Sequence, residues 1–98
     1  MSTRPLPLHT ALDQSTALAQ LVKRVRESQQ RFEDITPCLP PAMRSQVVPG
    51  PLDEQGWTLL AANAAVAAKL RHVLPLAEAR LQQQGWAPRP IRVKVKGV

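Results

Sequence analysis

Two histidines, one cysteine and two adjacent carboxylate pairs are the residues of this chain whose types suit bond-making chemistry, and their spacing withholds it. His9 and His72 have no acidic or cysteine partner at ligand spacing, so no metal site is expected. Cys38 has no CxxC companion, and a lone cysteine excludes an intramolecular disulfide and fits a reducing compartment. A through-space Cys38–His72 pair is the one route to an activated nucleophile; a small residue packed at a helix junction is the competing reading. Glu33-Asp34 and Asp53-Glu54 are sequence neighbours whose side chains point apart, so neither makes an acid/base pair. The glycines at 50, 56, 85 and 97 lie too far apart for a phosphate-cradling loop. A non-enzymatic protein with no cofactor and no small-molecule substrate is the expectation.

The cations are better placed. Lys and Arg number 13 against 7 Asp and Glu, a net +6, which favours a polyanionic partner or serves solubility alone. From Ala79 to Val98 come Arg80, Arg89, Arg92, Lys94 and Lys96, with no acid among them. In Ile91-Arg92-Val93-Lys94-Val95-Lys96 the apolar and basic residues alternate, so a strand sends the cations to one face at intervals of about 6.6 Å. That repeat is close to the phosphate spacing of a nucleic-acid strand and suits backbone contact without base reading. Lysines on an exposed strand also prevent edge-to-edge aggregation, and this second reading stays open. Arg89 stands beside the row. Lys69 and Arg71, near the start of a later helix, are second-choice contacts. Arg24 and Arg31, with Lys23 and Arg26, ride the first helix, where Glu27, Glu33 and Asp34 dilute them toward an ordinary solvated face. Trp86, in a loop just before the basic strand, is the candidate for stacking or partner docking. Phe32 and Trp57 read as core or rim. With no tyrosine, an aromatic platform is not expected, and binding would be mainly electrostatic and salt-sensitive.

The elements that must position these groups follow from periodicity. Residues 1–12 are interrupted by proline and read as a flexible arm, leaving 13–98 as a single domain. Between Gln14 and Ile35, Leu18, Leu21, Val22, Val25, Phe32 and Ile35 line one helical face as a core stripe, with the N-cap falling between Thr10 and Ser15. Pro37 stops that helix, and Leu39 to Arg44 suits a short second one opened by proline. Val47, Val48 and Leu52 make a strand that Pro49 and Pro51 confine to an edge or a bulge. The Asp53–Gly56 turn leads to Trp57–Ala61, apolar at both parities and hence a central strand covered on both faces. Asn63 caps a helix with Val66, Leu70, Val73, Leu74, Ala77 and Leu81 on one face. Pro75 kinks or splits it, and Gly85 ends it. The result is an α+β fold in the order α-α-β-β-α-β, a three-stranded sheet with helices packed on one face.

Composition narrows the setting. No apolar run approaches the about 18 residues that cross a bilayer, and the prolines near the start leave no signal-peptide core. A cytoplasmic protein is expected, with nucleoid association if the partner is DNA.

The stretch from about Leu18 to Val95 resembles the DciA family of bacterial proteins that assist the replicative helicase. The marks are Leu21-Val22-Lys23-Arg24-Val25 leading to Leu39-Pro40-Pro41, then Gly56-Trp57-Thr58-Leu59-Leu60. The small-residue run Ala61–Ala68 follows with Lys69-Leu70-Arg71 and Pro75-Leu76, and the basic strand Ile91–Val95 closes the pattern. The resemblance implies a small KH-like domain that binds DNA, single-stranded or forked, and contacts the helicase DnaB to promote its loading, without nucleotide hydrolysis. Two departures accompany it. The Gly-x-x-Gly clamp of KH modules is absent, and the sequence stops two residues past Lys96, where several family members continue into a basic tail. The competing functions are a protein-interaction adaptor docking through Trp86 and the Ala87–Pro90 flank, and a KH-like RNA-binding module.

Overall fold

The computed structural model describes the backbone of residues 5–97 and the side chains of residues 15–97. Helix α1 (Pro5–Ile35) is followed by a 3₁₀ turn (Thr36–Cys38), helix α2 (Pro41–Arg44), strands β1 (Val47–Asp53) and β2 (Gly56–Ala61), helix α3 (Ala64–Gln83) and strand β3 (Ile91–Val95). This is the expected α+β order. β1 and β2 form an antiparallel hairpin, and β3, reached through α3, pairs parallel to β2 on its other side. A parallel neighbour needs such a crossover, which is why a helix of this length separates the two strands.

Register decides which side chains share a face. Trp57, Leu59 and Ala61 stand beside Ile91, Val93 and Val95, with Leu52 beside Trp57 and Val47 beside Ala61. These residues meet Ile35, Leu39, Met43, Leu70, Ala77 and Leu81 in one buried core, with α1 over β1 and α3 over β2 and β3. Inside it, the Trp57 indole N–H donates to Ser28 Oγ (2.9 Å), which donates to the Gly50 carbonyl (2.7 Å). This relay satisfies a buried indole and ties α1 to both hairpin strands. β1 is an edge strand and also bulged, its register shifting between Pro49 and Leu52, where prolines remove two ladder donors.

Both ends of α3 carry their caps. Asn63 Oδ1 accepts from the Val66 N–H at 2.9 Å. At the other end, Trp86 N–H donates to Leu81 O and Gly85 N–H to Gln82 O (3.1 Å each), with Gly85 at φ +86°. That pair of bonds is a Schellman motif, and it turns the chain so that Trp86 comes back toward Leu81. The helix runs unbroken through Pro75 and does not split.

Three expectations are corrected. α1 begins at Pro5, so residues 5–12 are helical where an arm was expected, and Thr10 to Ser15 lie inside the helix; residues 1–4 are outside the described residues. Pro5 and Pro7 fit because N–H groups of a first turn have no intrahelical acceptor. Second, Leu18, Leu21, Val22 and Val25 are not core: they are 61, 58, 43 and 51% exposed. The sheet buries only the last turns of α1, from Ser28 to Ile35; Leu21 and Val25 border β1 across an open groove, and the helix projects past it. The radius of gyration is accordingly 17.6 Å, against about 13 Å for a compact domain of this size. Third, β2 is central, yet helices cover only one of its faces. Leu60 and Val48, paired across the hairpin, remain partly open to solvent on the other.

Candidate nucleic-acid interface

The uncovered face of the sheet is where the basic row emerges. Arg92 stands beside Thr58 and Lys94 beside Leu60, on the side opposite the helices, because strand neighbours alternate between faces. The Lys96 N–H donates to Ala61 O at 2.7 Å, so the strand trajectory and its alternation continue one residue past Val95. Arg92, Lys94 and Lys96 therefore form one line along β3, with Leu60 and Val48 beside them on the neighbouring strands. The side chains of Lys94 and Lys96 are exposed and make no hydrogen bond or ion pair among the described residues.

One acid meets the row. Arg92 Nη2 lies 3.6 Å from Asp53 Oδ1, with both side chains nearly half exposed, a pair that solvent screens. Arg92 Nε is buried without a partner. Arg89 Nη1 donates to the Asp53 carbonyl at 2.8 Å. The same Asp53 Oδ1 accepts from Gln55 N–H (2.8 Å) and Gly56 N–H (3.1 Å), an Asx turn that shapes the hairpin. Asp53 thus holds Arg89 and Arg92 at one end of β3 while leaving the two lysines free at the other. Sequence reading assigned Asp53 only to a solvated turn. The Asp-x-x-Gly spacing that signals an Asx turn was visible, but its proximity to Arg92 depends on a tertiary strand pairing.

The remaining candidates do not converge on this face. Arg71 is exposed on α3 and its Nη2 lies 3.4 Å from the Val93 carbonyl, at the outer edge of β3. Lys69 is exposed on α3, and its side chain has no partner among the described residues. Arg24 lines a groove with Pro49, Pro51 and Leu52, beside β1 and so at the opposite edge of the sheet.

Arg31, expected on a solvated helix face, is 2% exposed. Its Nε donates to Glu27 Oε2 (2.9 Å) and its Nη2 to Ala87 O (3.0 Å), and its guanidinium lies 4.9 Å from the centroid of the Trp86 ring. It is an internal tie and is unavailable to a phosphate. Trp86 is half-buried, with its Nε1 donating to Asp34 Oδ2 at 2.6 Å and one ring face under Arg31. Arg80 Nε adds a bond to the Asp34 carbonyl at 3.2 Å. This cluster clamps the end of α1 against the end of α3, and Trp86 is one of its structural members.

Among the described residues no hydrogen bond joins Cys38 to His72; Cys38 Sγ points to the Leu76 carbonyl at 3.9 Å and His72 is exposed. His9 lies outside the described side chains. No group of three metal-ligating residues occurs among the described residues, and none of their helices is long and apolar enough to cross a membrane. The geometry offers a line of cations on an open sheet face, suited to neutralising phosphates, with no aromatic ring among the described residues on that face to stack a base. No family model, curated protein or solved structure matches this chain.

Proposed function

We propose that this chain is a non-enzymatic DNA-binding module of the DciA type, acting beside the replicative helicase DnaB. The observation that carries the reading is the line Arg92, Lys94 and Lys96 on a sheet face that, among the described residues, no helix covers and only the carboxylate of Asp53 meets. Phosphates of a single strand or fork would lie along β3, with Arg89 at one end and Arg71 at the strand's outer edge. Val48 and Leu60 give sugars and bases an apolar floor without sequence readout. The family resemblance supplies the helicase. Because β3 is an edge strand, its lysines also oppose strand addition, and one role does not exclude the other.

Titration of labelled single-stranded and forked DNA tests the reading. Three to four phosphate contacts predict a roughly 20- to 50-fold loss of single-strand affinity between about 50 and about 200 mM salt. Changing Arg92, Lys94 and Lys96 to Glu is expected to abolish that binding without unfolding the protein. Unchanged affinity in the triple variant would remove the site. Competition with RNA of matched sequence separates the RNA-binding alternative, and capture of purified helicase with and without nuclease separates the adaptor.

Asp53→Asn offers a test in the opposite direction. An asparagine oxygen still accepts the two turn N–H groups, so the expected cost is below about 1 kcal/mol. Arg92 loses its counter-charge, and affinity for single-stranded DNA is expected to rise two- to fivefold. No rise, with the fold intact, would mean that Arg92 does not face the phosphates.

A further inference from the structure

We infer that residues 18–25 of α1 form a docking ridge for an acidic amphipathic helix of another protein. This surface is separate from the basic row and does not rest on the DNA-binding reading. Residues 15–26 are exposed without a break, so this length of helix is packed only along the edges of its apolar stripe, where it borders β1 and Trp86. Isolated helices of such length are marginal in water, and their stability normally comes from a buried apolar face. Here the face exists and is about half exposed: Leu18, Leu21, Val22 and Val25 fall within one stripe about 100° wide.

Charge selects the occupant. At about 100° per residue, Arg24 falls beyond Leu21 on one side of the stripe and Arg26 beyond Val22 on the other, with Lys23 behind. No acid lies between Ser15 and Arg26, and Glu27 is already held by Arg31. A second copy of this chain would bring two sets of these cations together across the seam, so self-pairing is disfavoured. A partner helix with leucines at i, i+3, i+4 and i+7 and glutamates on its flanks satisfies both the stripe and the cations. A lipid surface would meet the cations too. The ridge, however, runs between two grooves, one that Leu18 and Val22 line with Trp86 and one in which Leu21 and Val25 face Pro49, Pro51 and Leu52 of β1. A concave border of that kind fits a rod and not a plane.

The test uses a labelled synthetic helix with that leucine pattern and glutamate flanks, its lysine-flanked twin, and vesicles of phosphatidylglycerol with phosphatidylcholine. The acidic peptide is expected to bind saturably and to slow amide exchange across residues 15–26. Leu21→Gln with Val25→Gln should weaken it at least tenfold with an unchanged melting temperature, since both residues are exposed. Arg24→Gln with Arg26→Gln should weaken it severalfold and flatten its salt dependence, while Lys94→Glu with Lys96→Glu leaves it within twofold. Equal binding of the lysine-flanked twin overturns the proposal. So does binding to vesicles alone, or self-association of the free protein that Leu21→Gln with Val25→Gln abolishes.

Discussion

Gly56→Ala is expected to lower the stability of the domain by about 3 kcal/mol or more, from a total that for a chain of this size is only about 5–15 kcal/mol. Two independent causes add. Gly56 sits at φ +144°, a region that side chains rarely adopt and that costs about 1–3 kcal/mol when forced. A Cβ there would stand 2.5 Å from the carbonyl oxygen of Pro90, which is backbone and cannot rotate away. That carbonyl accepts the Trp57 N–H at 2.8 Å and begins the pairing of β3 with β2. The substitution therefore loosens the strand that carries Arg92, Lys94 and Lys96, and DNA affinity should fall together with stability. Urea unfolding with amide exchange along β3 measures both. A variant as stable as the parent would contradict the parallel pairing at that end of the sheet.

Arg31→Ala is expected to cost about 2–4 kcal/mol, a fall in melting temperature of roughly 10–25 °C. It leaves Glu27 unpaired, the Ala87 carbonyl without its donor and the Trp86 ring without its cation. The solvent still reaching Glu27, at 24% exposure, places the figure somewhat below the about 3–5 kcal/mol of fully buried pairs. Arg31→Lys should recover only part of the loss, because an ammonium cannot reproduce the planar fork that spans two acceptors. Arg24→Ala, on the same helix and exposed, is expected to change stability by less than about 0.5 kcal/mol. Thermal unfolding separates the two arginines. Were Arg31 a phosphate contact, its removal would spare the fold and change the salt dependence of binding.

The contrast between these arginines marks where sequence reading ends. Alternation in Ile91–Lys96 was enough to place three cations on one face, since a period of two needs no tertiary knowledge. The order of elements, the bulged edge strand, the Asn63 cap and the Gly85 stop were likewise legible, because each rests on local backbone chemistry. The apolar stripe of α1 was legible as a stripe but not as an exposed one. Helical period tells which residues share a face, and only the sheet's extent tells how far along the helix that face is covered. Arg31 lies on the same side as Ser28 and Ile35, and its i, i+4 relation to Glu27 hinted at a pair. Its burial required the Schellman turn to fold Trp86 and Ala87 over it, a contact between residues more than fifty positions apart in the chain. The beginning of α1 at Pro5 was hidden for a different reason: prolines that break a helix interior are tolerated in its first turn.

The central claim is that one face of the sheet holds DNA, and amide chemical-shift mapping on the folded chain tests it most directly. Adding a short single-stranded oligonucleotide at low salt is predicted to shift Val48, Thr58, Leu60 and Arg92 to Lys96, while Leu18 to Val25 stay in place. Shifts concentrated along α1, with the β3 resonances unmoved, would contradict it.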